Sequence, residues 1–154
     1  MLREVIHVEG PVHIEVAARR LAKAWELQRV GSRMRKAVNV ALRSLTREGK
    51  VRQHGKFLWP NRRDFQITVR RPDPGNEDTL RGIEFIAPAE LGLAVKNLVR
   101  DALSITEDEL VKEVARIFGF DRTGANIRAR IARIVNGMIS QCILVSRGDR
   151  ISLP

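Results

Sequence analysis

The sequence repeats itself once, at a fixed offset of 93 residues. Residues 2–60 fall on residues 95–153 without a gap, so that Arg29 meets Arg122, Gly31 meets Gly124 and Gly55 meets Gly148. The apolar positions follow. Leu21, Trp25, Leu27, Met34, Val38, Leu42 and Leu45 meet Val114, Phe118, Phe120, Ile127, Ile131, Val135 and Met138. A self-match of this kind reduces the fold to one small unit built twice. It also supplies an internal comparison, because what differs between two copies of one scaffold points to function better than what both need to fold.

The first copy reads as three helices and a hairpin. Leu2, Val5 and Ile6 mark a short helix that ends at Gly10-Pro11. Ile14, Ala17, Ala18, Leu21, Ala22 and Trp25 recur at helical spacing and predict a second helix, with Trp25 in the core. After a turn at Gln28 to Ser32, Ser32 is expected to cap a third helix. Its buried stripe is Met34, Val38, Ala41, Leu42 and Leu45, and Gly49 closes it. Lys50 to Gln53 and Lys56 to Trp59 read as strands around His54-Gly55, with Trp59 covering the edge of the core.

The second copy gives the same order. A helix is expected from about Pro88 to Leu103. Thr106 and Glu109 have the spacing of a capping box for the next helix, and Ile127, Ile131, Ile134, Val135 and Met138 mark the third. Ile143-Leu144-Val145 and Ile151-Ser152-Leu153 flank Arg147-Gly148-Asp149 as a hairpin. Residues 61–87 are unrepeated. Phe65, Ile67 and Val69, then Ile83 and Phe85, alternate as in strands around a turn at Pro72 to Glu77. The expected organisation is therefore copy one over 1–60, a connecting segment with a strand pair over 61–87, and copy two over 88–154. The fold class is α+β, mainly α with small β-hairpins. Three helices and a hairpin in about 60 residues is the winged-helix order, a helix-turn-helix variant whose third helix is the usual reader of the major groove.

Charge separates the copies. The chain carries 28 Lys and Arg against 18 Asp and Glu, a formal net charge of +10. Residues 1–75 hold 17 basic and 7 acidic residues, and residues 76–154 hold 11 of each, so the whole excess lies in the first half. Such asymmetry suggests a polyanion as partner of that half. With one cysteine, Cys142, no internal disulfide is possible, and no run of about 18 apolar residues is present. The expectation is a soluble cytoplasmic protein without membrane contact.

Little in the sequence points to catalysis. His7, His13 and His54 are scattered and Cys142 is distant from them, so no pair has the spacing of zinc ligands. No nucleophile elbow, phosphate-loop glycine pattern or His-Glu-x-x-His appears. The acids Glu107, Asp108, Glu109 and Glu113 gather at one helix start, where the helix dipole accounts for them. The expectation is a non-enzymatic chain that needs no metal or cofactor.

The third helices carry the informative difference. If the stripe from Met34 to Leu45 faces inward, then Lys36, Asn39, Arg43 and Arg47 line the opposite face at steps of three and four. Arg33 and Arg35 flank them, Arg52, His54 and Lys56 sit on the hairpin, and no Asp or Glu lies between Ser32 and Arg47. Cations for phosphates, with Asn39 able to contact a base edge, are what a duplex-binding face needs. In the second copy the same outer face becomes Ala129, Ala132, Asn136 and Ser140, which carries no charge. That face suits contact with another protein or a second copy of the chain.

Glu9-Gly10-Pro11-Val12-His13, Arg29-Val30-Gly31-Ser32-Arg33, Gly55-Lys56-Phe57-Leu58-Trp59-Pro60, Ile86-Ala87-Pro88-Ala89-Glu90-Leu91 and Phe118-Gly119-Phe120-Asp121-Arg122-Thr123-Gly124 occur in that order. Together they resemble an uncharacterised domain found near the C-terminus of large bacterial superfamily I helicase-like proteins, often beside a restriction-endonuclease-like domain. The resemblance covers nearly the whole chain and supplies no catalytic residues. It implies a DNA-transaction or defence context, in which this chain is an accessory module or a piece of a larger protein. The expected function is duplex-DNA binding through the first copy, positioning DNA for a helicase or nuclease in the same or a partner protein. The rival is a protein-interaction or dimerisation module that touches no nucleic acid.

Overall fold

The computed structural model describes residues Met1–Pro154, and they form two compact units, Met1–Ile67 and Thr68–Pro154. The first unit contains α1 (Leu2–Glu9), β1 (Val12–His13), α2 (Ile14–Ala24), α3 (Ser32–Arg47), β2 (Val51–His54) and β3 (Phe57–Pro60). The second contains α4 (Pro88–Ala102), β4 (Ser104–Thr106), α5 (Glu107–Ile117), α6 (Ala125–Ser140), β5 (Val145–Arg147) and β6 (Arg150–Ser152). The class is mixed α+β, with six α-helices and two three-stranded antiparallel sheets of order β1-β3-β2 and β4-β6-β5. The short strands β1 and β4, which the hydrophobic pattern does not announce, turn each hairpin into a three-stranded sheet.

The offset of 93 holds in three dimensions. The bounds of α2 and α3 map onto those of α5 and α6 residue for residue. Ile6, Leu21, Val38, Leu42, Val51 and Leu58 are buried in the first unit, and their counterparts Val99, Val114, Ile131, Val135, Leu144 and Ile151 are buried in the second. Three left-handed backbone positions coincide, and a fourth, Leu103 (φ 61°), does not, since its counterpart Gly10 is extended. Glu26 (φ 55°), Gly49 (66°) and Gly55 (59°) correspond to Gly119 (82°), Cys142 (57°) and Gly148 (66°). Glycine occupies a left-handed position without steric cost, whereas another residue there is held by its surroundings. Glu26 and Cys142 are such residues, each matched by a glycine in the other copy.

Helix starts differ in how they are made. Thr106 and Glu109 form the expected reciprocal cap of α5. His13 caps α2, its Nδ1 accepting from the Glu15 N–H at 3.1 Å. At α3, Ser32 lies inside the helix and Gly31 takes the cap position without a side-chain bond, contrary to the expected Ser32 cap.

Two further expectations are corrected. The segment 61–87 forms no strand pair. Residues 61–67 belong to the first unit and 68–87 to the second, which contains 3-10 turns at Glu77–Thr79 and Ile83–Phe85. The backbone of Arg70 takes its hydrogen bonds from side chains instead of a neighbouring strand. Its N–H donates to Glu90 Oε1 at 2.9 Å, and its carbonyl accepts from Arg81 at 2.8 Å. Trp25 is not a core residue: it is 49% exposed, whereas its counterpart Phe118 is 2% exposed. In the second unit the Arg81 guanidinium lies over the Phe118 ring at 5.9 Å, and Pro72 and Leu80 press against Gly119. Trp25 lacks such a cover, so alignment with a buried residue did not make it buried.

Glu90 fastens the segment 68–87 to the second unit. It sits fully buried in the first turn of α4 and accepts both Arg81 nitrogens at 2.8 Å and Arg70 Nη2 at 3.0 Å. Burial is the largest single influence on its carboxyl and pushes its pKa up. The hydrogen bonds and charges of Arg81 and Arg70 together outweigh it, and the net shift is downward. Removing one partner of a buried pair leaves an uncompensated charge, so Glu90→Gln is expected to cost about 3–5 kcal/mol in urea denaturation. Because the folded-state pKa is depressed, the Glu90 contribution is complete above the ordinary glutamate value of 4.5 and is lost as pH falls through the lower folded value. Unfolding curves against pH should show that acid limb in the wild type and a weaker one in Glu90→Gln.

Candidate nucleic-acid interface

Helix α3 is held by a narrow stripe. Met34, Val38 and Leu42 are its buried residues, and the rest of its 16 residues are exposed or half-buried. Its first turn contains no acid, and neither does that of α6, whereas those of α2 and α5 do. Instead Arg33, Arg35 and Lys36 lie near the end of the helix where the dipole disfavours cations. Arg35 there pairs with Glu15, but Arg33 and Lys36 have no partner, and a broken local rule is where a functional demand is to be sought.

All seven residues expected to meet nucleic acid are exposed: Arg33, Lys36, Asn39, Arg43 and Arg47 on α3, and Arg52 and Lys56 on the hairpin. None of their side chains makes a hydrogen bond or ion pair. Asn39, Arg43 and Arg47 line one groove of about 590 Å³, floored by Leu42 and closed by Ile14, Thr46 and Gln53. Lys36 and Arg33 extend the same face toward the N-terminus of α3, and the rise from Lys36 to Arg47 is about 16 Å at 1.5 Å per residue. Lys56 stands at the hairpin tip beside Gly55. Arg52 stands apart. In the β2–β3 register it faces Trp59, whereas Gln53 faces Leu58 and lines the groove, so Arg52 occupies the opposite face of the hairpin.

Sequence reasoning missed Ile14, Thr46 and Gln53 as groove walls. Gln53 had a readable signal, since it alternates with Arg52 and shares its face with buried Val51. Trp59 is likewise on the outer hairpin face, opposite buried Leu58, and does not cover the core edge.

The second unit presents a different helix. Ala129, Asn136 and Ser140 on α6 are exposed and Ala132 is half-buried. Ser140 Oγ donates back to the Asn136 carbonyl at 2.9 Å. Of the flanking arginines, Arg128 and Arg130 are engaged and Arg133 is exposed without a partner. Arg128 pairs with Asp108 at 2.8 Å, and Arg130 donates to the Ile86 carbonyl at 2.9 Å. Lys112 and Arg128 hold the Asp108 carboxyl below its ordinary pKa. The Arg128–Asp108 pair has a counterpart in the first unit, Arg35–Glu15 at 3.3 Å. Arg35 is thus part of the shared scaffold, and the unpaired cations of α3 are what the first unit adds.

No group of His, Cys, Asp and Glu is arranged to hold a metal ion, and no helix is long and apolar enough to cross a membrane. A family model described as a protein of unknown function (DUF3320) matches residues 1–36, from α1 to the first turn of α3. Arg33 and Lys36 fall within that match, and Asn39, Arg43 and Arg47 lie beyond it. No curated protein and no solved structure matches the chain.

Because these side chains have no partners to lose, the face should be dispensable for folding. Arg43→Ala and Arg47→Ala, singly or together, are expected to change stability by no more than about 0.5 kcal/mol per site. Thermal melts of the variants against wild type check this.

Proposed function

We propose that the two units are winged helices and that the first binds duplex DNA. The module is accessory and non-enzymatic, and it positions DNA for a helicase or nuclease in the same or a partner protein. The observation that carries this reading is the row of unpaired cations along α3, opening onto the groove that Asn39, Arg43 and Arg47 share. Helix α3 enters the major groove with Asn39 toward a base edge. Arg33, Lys36, Arg43 and Arg47 meet phosphates on either side, and Lys56 reaches them from the hairpin tip, whereas Arg52 points to the other face of the hairpin. The helicase or nuclease context rests on the sequence resemblance described above.

Phosphate contacts release counterions, so affinity should fall steeply with salt. With five or six phosphates neutralised, the slope of log K against log salt is expected to be roughly −5, from about −0.9 per phosphate. A fluorescent duplex titrated at several salt concentrations measures it. Arg43→Ala/Arg47→Ala should abolish micromolar binding, and binding unchanged in that variant would remove α3 as the interface.

The altered α6 supports a second reading for the other unit, as a surface for a protein partner or a second copy. The observation that favours it is a neutral face beside which Arg128 and Arg130 are already bonded. Size exclusion with light scattering on wild type and Ala132→Arg tests it. A dimer that dissociates on substitution is expected, and a monomer in both excludes self-association through this face.

A further inference from the structure

The outer face of the β2–β3 hairpin carries a feature that duplex binding through α3 does not use. Residues alternate across a strand, so Val51, Gln53, Leu58 and Pro60 face inward while Arg52, His54, Phe57 and Trp59 face outward. Three rings on this side, His54, Trp59 and Phe65, form a connected series. The His54 and Trp59 rings meet edge to face at 5.8 Å, and Trp59 and Phe65 meet likewise at 6.1 Å. The Arg62 guanidinium lies over Phe65 at 5.8 Å, and the buried His13 contacts Phe57 at 5.2 Å. Trp59 Nε1 is buried and has no hydrogen-bond acceptor.

Charge and the repeat show that this layer is not part of the scaffold. Lys50, Arg52, Lys56, Arg62 and Arg63 lie between Glu48 and Asp64 with no acid among them. Arg62 has only a 3.6 Å pair with Asp64, and Arg52 and Arg63 have no partner. In the second unit the positions of His13, His54, Phe57 and Trp59 are Thr106, Arg147, Arg150 and Ser152. That sheet folds with the same strand order and no aromatic residue on its outer face. The aromatic layer is therefore not needed to build the hairpin.

Aromatic rings bordered by arginines, of which Arg52 and Arg63 are unpaired, are the chemistry that holds unpaired nucleotides. Bases stack on the rings and phosphates follow the guanidinium groups. The two faces of one hairpin then divide two substrates. Its inner face borders the α3 groove through Gln53, and its outer face bears the rings. We infer that the first unit binds a junction: duplex lies along α3, and a single-stranded tail passes over His54, Trp59 and Phe65, bordered by Arg52, Arg62 and Arg63. The hairpin separates the two. This inference rests on the duplex reading of α3 and narrows its substrate from duplex to duplex with an unpaired extension.

The test compares a blunt duplex, the same duplex with an oligothymidine tail at either end, and the tail alone, by fluorescence anisotropy. Trp25→Phe leaves Trp59 as the only tryptophan, so its emission reports the outer face directly. One tailed duplex is expected to bind at least about 5-fold more tightly than the blunt one, as a single stacked base provides. It should also quench Trp59. In His54→Ala/Phe65→Ala, blunt-duplex affinity should be retained and the advantage of the tail lost. Equal affinity for blunt and tailed duplexes with unchanged Trp59 emission overturns the junction and leaves the duplex reading standing. Absence of binding to every probe overturns the duplex reading and the junction with it.

Discussion

The third helix of each unit is held by a narrow apolar stripe, and the difference between the units depends on that constraint. Met34, Val38 and Leu42 tie α3 to its core, and Ile131 and Val135 do the same for α6. Each buried position of this size contributes about 1.5–3 kcal/mol, enough to fix the helix while leaving most of its circumference unconstrained. The outer face can therefore change from Lys36, Asn39, Arg43 and Arg47 to Ala129, Ala132, Asn136 and Ser140 without altering one helix bound. The narrow stripe leaves the outer faces of the two third helices free to differ.

The units also differ in what closes them. In the second, Pro72, Leu80 and Arg81 reach over the turn between α5 and α6, and Glu90 anchors the segment by two arginines. A carboxylate with no exposure is tolerable only because each oxygen accepts at least two hydrogen bonds. The cluster gives the segment one position, since any other would leave Glu90 buried without its cations. In the first unit Trp25 and Leu27 remain half-exposed at the equivalent turn.

Much of this was readable from residue order, for a physical reason. Helical periodicity and fixed glycines report local geometry, so α2, α3, α5, α6 and both hairpin turns follow from spacing. Thr106 and Glu109 announce their cap because both partners of a reciprocal bond lie within three residues. What escaped depends on distant partners. The pairing of Val12 with Leu58 needs a 46-residue separation to be known in advance. The alternation of Phe65, Ile67 and Val69 suggested a strand, but the carboxylate that captures the Arg70 backbone lies 20 residues on. Trp25 was misplaced for the same reason, because its burial depends on a covering segment and not on its own helix. The candidate face was legible in kind, since cations without acids mark a surface. The groove was not, because Ile14 and Gln53 reach it from other elements.

The lack of partners along α3 has a kinetic meaning. A cation held in an ion pair must break that contact before it can meet a phosphate, and the breaking slows docking. Arg33, Lys36, Arg43 and Arg47 have nothing to break. Their field extends into solvent over roughly 8 Å at physiological ionic strength, without an acid on the helix to cancel it. A polyanion is drawn toward such a surface before any contact forms, which raises encounter rates about 10- to 1,000-fold over an uncharged one. The outer face of α6 offers no such row of cations, and Arg128 and Arg130 beside it are already bonded.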